Sequence, residues 1–306
     1  MKTSSIYTIL LAMAPLSSLA QVPNTLLHSI PAPPVGVQSG GYLGYSAATD
    51  GAYVVVGAPN DDLMGAASGS VKVFAADTGA LLHVLPNPNQ ADNDHFGNSV
   101  AISGTRVAVG AYGVNESVLV DVGRVYVYDL ASPDPTVPVA TLLNPDAGHN
   151  TWFGHSVTIS GTWLVVGADN SMGPGAGRAY VYDLTSLTPP VLPMYILNNP
   201  TPATGDAFGI SVAISGTRVV VGACADSTGA TGAGSAYVYD LASPTPTVPV
   251  HTLNNPGPAT YDFFGQSVSI SGTQVVVGAY WDNTGAADAG SAYVYDLTSP
   301  TPTVPV

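Results

Sequence analysis

Charged side chains are scarce in this chain. Asp, Glu, Lys and Arg make up 8% of its 306 residues, against about 25% in an ordinary soluble domain. Cations are scarcest, with 6 Lys and Arg facing 20 Asp and Glu for a formal charge of −14. Such a chain has no basic footprint for nucleic acid or an anionic membrane surface. Its one cysteine, Cys224, excludes an internal disulfide framework and any cysteine-based zinc site. Helix formers are missing too: Glu116 is the only Glu, and Lys2 and Lys72 are the only Lys. No longer window carries a helical period of apolar residues. No apolar run reaches the roughly 20 residues that span a bilayer, so no membrane insertion is expected. Gly (34) and Pro (26) are abundant instead. Together they stay below the roughly 25–30% that signals a disordered chain, and 46% hydrophobic residues leave enough for a core. These features point to a secreted β-protein.

The N-terminus reads as an export signal. Lys2 precedes an apolar run from Ile6 to Leu16, followed by Ser18-Leu19-Ala20. A positive start, a short apolar stretch and small residues before a cleavage point are the parts of a signal peptide. Residues 1–20 are assigned that role, with Gln21 opening the mature chain, which is expected to be secreted or held at the cell surface.

Residues 21–306 read as one domain of five copies of a single unit. Phe96-Gly97, Phe153-Gly154, Phe208-Gly209 and Phe264-Gly265 each open a Ser-Val-Ala-Ile-Ser-like strand, and a worn copy stands at Leu43-Gly44. Each is followed at a constant interval by a Gly-Ala pair that starts at Gly57, Gly110, Gly167, Gly222 or Gly278. Alternation, β-branched and aromatic enrichment, and Gly/Pro punctuation predict four short strands per unit. Runs such as Val219-Val220-Val221 lack alternation, as expected of strands buried on both faces. Four antiparallel strands repeated at this period predict an all-β fold, a β-propeller of four-stranded blades. The units run at about 28–82, 83–139, 140–194, 195–250 and 251–306. The chain stops after Val304-Pro305-Val306, where a further outer strand would begin, and Leu26–Ile30 resembles that strand. Five blades closed by the N-terminal strand are therefore expected; the alternative is that the units are a fragment of a longer array.

Phe-Gly, a Val-rich strand and Gly-Ala, as in Phe208-Gly209…Gly222-Ala223…Ala236-Tyr237-Val238-Tyr239, resemble the FG-GAP repeat of integrin α-like and secreted bacterial proteins. The resemblance covers nearly all of the mature chain and implies a propeller that binds ligands on one loop face. The motif's final Pro is kept only at Pro59; Tyr112, Asp169, Cys224 and Tyr280 replace it. The family's calcium loop is not carried over. In its place stand Thr49-Asp50-Gly51 or Ser-Gly-Thr turns such as Ser215–Thr217. These offer at most one carboxylate where calcium needs about six to eight oxygens.

The loops after the second and fourth strands of each unit hold most of the acids and large aromatics. On that face Trp152, Trp281, Tyr261 and His149 break the repeat pattern and are candidate ligand residues. Tyr112, Asp61 and Asp282 join them. No metal is assigned, with Asp61, Asp62 and Asp282 the acids that could hold a weak ion; no cofactor is expected. Asp94, Asp206 and Asp262, two residues before Phe-Gly, read as turn formers. Tyr237 and Tyr239 read as packing between blades.

The favoured function is non-catalytic binding or adhesion toward an extracellular protein or glycan. A lectin with sites between blades is the alternative. A glycoside hydrolase is less favoured, because it needs two facing carboxylates and the inner strands, such as Ser211–Ser215, carry none.

Overall fold

Valine-rich strands separated by Gly- and Pro-rich turns form antiparallel ladders in five sheets. The computed structural model describes residues 40–306 apart from 171, 188 and 190. The first sheet contains β1 (Ser46–Thr49), β2 (Tyr53–Ala58), β3 (Ser70–Ala75) and β4 (Leu81–Pro86). The second contains β5 (Ser99–Ser103), β6 (Arg106–Ala111), β7 (Arg124–Asp129) and β8 (Ala140–Leu143). The third contains β9 (Ser156–Ser160), β10 (Trp163–Ala168), β11 (Arg178–Asp183) and β12 (Tyr195–Asn198). The fourth contains β13 (Phe208–Ser215), β14 (Arg218–Ala223), β15 (Ser235–Asp240) and β16 (His251–Asn254). The fifth has three strands: β17 (Phe264–Ser271), β18 (Gln274–Ala279) and β19 (Ser291–Asp296). Each sheet is a meander in chain order. No helix occurs among the described residues.

Two faces of adjacent sheets make each core, which is why the central strands are apolar without alternation. Val55, Val71 and Leu85 of the first sheet pack with Phe96, Ile102, Val109 and Tyr126 of the second. The same arrangement recurs at the next three junctions. β1, β5, β9, β13 and β17 lie against one another in order, as the inner strands of successive blades do. The architecture is thus all-β and of propeller type.

The Phe-Gly corner is the joint. Phe96, Phe153, Phe208 and Phe264 are fully buried, and each makes a parallel bridge to Gly69, Gly123, Gly177 or Gly234 of the preceding sheet. The following glycine presents its carbonyl to that sheet. Ser46, Ser99, Ser156 and Ser211 each donate a hydroxyl to the oxygen of Gly97, Gly154, Gly209 or Gly265 at 2.8 Å. A Cβ on Gly222 would lie 1.9 Å from the Gly265 oxygen, so only glycine lets this corner approach.

The N-terminal strand expected at Leu26–Ile30 and the signal at 1–20 lie outside the described residues. The fifth sheet ends at β19, where the Val306 N–H already donates to the Val294 carbonyl at 2.8 Å. This is the bond that Val250 makes to Val238 before β16 begins.

Candidate functional site

The rim residues are positioned by the corners. The residue before each Phe-Gly has positive φ: 54° at His95, 51° at Trp152, 58° at Ala207 and 55° at Phe263. Left-handed backbone costs a non-glycine residue about 1–2 kcal/mol. Ala207 shares the conformation with the aromatics, so the corner imposes it. The identity of the side chain then decides what the rim displays. In the second and fifth sheets the residue that replaces the motif's Pro, Tyr112 or Tyr280, meets these corner residues.

Two aromatic groups result. In the first, Tyr112 stacks on His95 with centroids 5.1 Å apart and 12° between planes. Trp152 meets Tyr112 edge-on at 5.6 Å, and His155 meets it at 5.4 Å. Trp152 and His155 are 5.7 Å apart. Asn60 holds the far side of His95, with Oδ1 3.2 Å from Nδ1. His155 Nδ1 lies 4.0 Å from Asp169 Oδ1. All four rings are half-buried. Burial, with Tyr45 and Asp121 nearby, pushes the Tyr112 phenol up, so it stays a neutral donor.

The second group is more open. Tyr261, Phe263 and Tyr280 form a run of near-parallel rings, with centroids 5.8 and 5.6 Å apart and planes 26° and 13° apart. Trp281 closes on Phe263 and Tyr280, at 5.3 Å from each. Tyr261, Tyr280 and Trp281 are 51, 49 and 46% exposed. Contiguous exposed aromatics of this kind mark interaction surfaces on soluble proteins.

The predicted residues thus fall into distinct places. Trp152 and Tyr112 meet each other, and Tyr261 and Trp281 meet through Phe263. His149 instead accepts a hydrogen bond at Nδ1 from the Val120 N–H at 3.2 Å, tying two loops together. Asp61 is buried, accepts from Ser70 Oγ at 2.6 Å and pairs with Lys72 Nζ at 3.1 Å. Asp282 is also buried, bonded to the Thr284 N–H at 2.6 Å and to the Tyr293 hydroxyl. Burial opposes its charge, but the bonds from Thr284, Tyr293 and Ser291 win and hold its carboxyl below the usual range. Asp62 accepts the Ala67 N–H at 2.7 Å. Among the described residues, no three His, Cys, Asp or Glu side chains are grouped to hold a metal ion. Sequence reasoning missed His95, His155 and Phe263, although they flank Phe-Gly directly and that flank varies from copy to copy.

The acids before Phe-Gly do form turns. Asp94, Asp206 and Asp262 accept from the side chains of Asn87, Asn199 and Asn255 at 2.6, 2.7 and 2.7 Å. Between the second and third sheets, Thr151 stands in place of such an Asp. A cavity of about 440 Å³ opens there, lined among others by Asn144, Asp146, Asn170, Arg178 and Tyr180. Asp146 binds both Arg178 and the Tyr180 hydroxyl.

Corners, hydroxyl–carbonyl joints and Gly-Ala strand ends together define a class: a repeat scaffold of packed antiparallel sheets that presents varied side chains on a loop rim. A family model described as FG-GAP repeat matches residues 85–128, 137–182, 200–239 and 251–295, more than half of the chain. The chain belongs to the FG-GAP repeat family. The unit with the worn Leu43-Gly44 corner lies outside the four matches. No curated protein matches the chain. Among the described residues, no helix is long and apolar enough to cross a membrane. Membership in this family suggests a binding or adhesion type of scaffold.

Proposed function

We propose that this protein is an exported, non-catalytic binding protein that engages an extracellular protein or glycan through its aromatic rim. The observation that carries this reading is the open group in which the exposed rings Tyr261, Tyr280 and Trp281 pack around the half-buried Phe263. The rings are held by packing and by the corner backbone, so little side-chain entropy is lost when a partner covers them. Apolar ring faces ringed by hydroxyl and indole donors suit either a protein hot spot or the C–H face of a sugar. In this reading the five sheets are propeller blades, the free edge of β19 is where a further outer strand adds, and residues 1–20 direct export.

Screening the purified protein against immobilised extracellular proteins and a glycan array tests the reading. Trp281→Ala and Tyr261→Ala should each weaken the binding found by about tenfold or more, with the melting temperature nearly unchanged. Binding that survives both substitutions would remove the rim from the reading. An intact N-terminus at Met1 in extracellular material, in place of Gln21, would remove the signal assignment.

A second reading, lectin-like binding between sheets, is favoured by the 440 Å³ cavity with its amides and its Asp146–Arg178 pair. Sugar competition that is lost in Asn144→Ala and kept in Trp281→Ala would select it.

A further inference from the structure

All five sheets carry the same seat, and in the first four the next sheet's corner fills it. In the fourth sheet the seat is Ser211, Gly222 and Gly234, holding the Gly265 carbonyl and Phe264. The fifth sheet repeats it as Ser267, Gly278 and Gly290, with no corner from the described residues inside. A cavity of about 470 Å³ stands there, lined among others by Gln266, Ser267, Gly278, Tyr280, Gly290 and Ser291. Val276, Ala292 and Val294 beside it are exposed, whereas their counterparts Val220, Ala236 and Val238 are buried.

The other end of the array has the matching part. At Gly97, Gly154, Gly209 and Gly265 a Cβ would lie 2.8, 2.7, 2.4 and 2.4 Å from a backbone oxygen of the preceding sheet. At Gly44 it would meet nothing within 4 Å. Tyr42 and Tyr45 flank that glycine's corner and are 61 and 62% exposed. They hold the positions that Trp152 and His155 hold at the corner packed on Tyr112. Tyr280 occupies the Tyr112 position of the fifth sheet.

We propose that the fifth-sheet seat receives the Leu43-Gly44-Tyr45-Ser46 corner of a second copy of this chain. Among the described residues seat and corner are open in one molecule at once, so the Leu43–Ser46 corner does not occupy the seat of its own chain. Two copies can join without rearrangement by repeating a contact the molecule already makes four times. Ser267 Oγ then donates to the Gly44 carbonyl, Leu43 pairs with Gly290, and Tyr42 and Tyr45 pack on Tyr280. The contact is head-to-tail, which builds closed rings or open filaments according to the rotation between copies. It shares Tyr280 with the aromatic rim but does not depend on what the rim binds.

Light scattering on the full chain over a dilution series measures the association. The expected result is mass rising with concentration in multiples of the chain mass. Gly278→Ala places a methyl where the seated carbonyl must stand, and Tyr45→Arg spoils the corner from the other side. Each variant alone should associate more than about tenfold less tightly. Mixed in equal amounts they should form dimers and nothing larger, since one intact corner meets one intact seat. In an empty seat Gly278→Ala crowds only the rotatable Ser267 hydroxyl of its own sheet, and Tyr45 is exposed, so both variants should fold. A wild-type protein that stays monomeric overturns the proposal. If Gly278→Ala then lowers the melting temperature, the seat is filled within the chain; if it does not, the seat is empty. A mixture that forms no dimer also overturns it. Loss of ligand binding in Trp281→Ala is read separately and bears only on the rim.

Discussion

Ser211 donates its hydroxyl to the carbonyl of Gly265 across a sheet boundary, 54 positions along the chain, at 2.8 Å. The bond belongs to a joint repeated at every junction between described sheets, and it makes a small polar contact the organiser of large apolar faces. Removing the hydroxyl in Ser211→Ala leaves the Gly265 oxygen short of a donor and should cost about 1 kcal/mol. Gly222→Ala should cost more, about 3 kcal/mol, because its Cβ would stand 1.9 Å from that same oxygen. Gly257→Ala, whose Cβ would meet nothing within 4 Å, serves as the neutral control. Urea denaturation of the three variants ranks them; equal midpoints for Gly222→Ala and Gly257→Ala would contradict the joint.

The buried phenols should resist alkali while the fold lasts. Burial pushes Tyr128, Tyr180, Tyr182, Tyr237, Tyr239 and Tyr295 well above the ordinary tyrosine range. A raised phenol favours the protonated folded state, so its contribution is full below the unfolded value of about 10 and declines as pH rises beyond it. Absorbance at the phenolate band should show these rings ionising late, together with the loss of near-ultraviolet circular dichroism. Full ionisation of a protein that remains folded would refute their burial.

Cys224 should be silent toward thiol reagents in the native protein. It is buried, and that burial, with Asp169 nearby, pushes the thiol up to about 12. The reactive thiolate is therefore almost absent at neutral pH. Ellman's reagent should react only after denaturant is added, and fast labelling of the native chain would show the site open.

Acid should weaken the fifth sheet through Asp282. Its carboxyl is held below the usual range by donors from Thr284, Tyr293 and Ser291 against the opposing effect of burial. A depressed carboxyl contributes stability above its unfolded value, about 3.9, and loses that contribution as pH falls through the lower folded value. Asp282→Asn should lower stability at pH 7 and flatten the fall between about pH 4 and 2. An unchanged acid slope in this variant, followed by melting temperature, would exclude Asp282 as a contributor.

Strand positions were readable because they depend on near neighbours. The Val-Val-Val runs, the Tyr-Val-Tyr strands and the Ser-Gly-Thr turns each declare themselves within a few residues, and they fold as read. The candidate site was only partly readable. Trp152 and Tyr112 stood out singly, but nothing local says that they touch, nor that His95 and His155 complete the group. Phe263 was hidden beside Phe264, because the repeat requires the second ring and leaves the residue before it variable. Asp61 and Asp282 looked free because they sit in loops. Their partners, Lys72 and Tyr293, come from the next strand of the sheet, whose register decides which side chain arrives beside each acid.

The repeat, the strand order within a unit, the corner glycines and the shortage of charge follow from the sequence by itself, because turn geometry, strand propensity and apolar patterning act over short stretches of chain. Tertiary structure alone decided which rings share the rim, which acids are bonded inside it, and that among the described residues the fifth sheet's seat and the Leu43–Ser46 corner both stand open. Those outcomes depend on sheet faces meeting at close range, where a single Cβ or hydroxyl determines contact and where the residues involved lie a whole repeat apart.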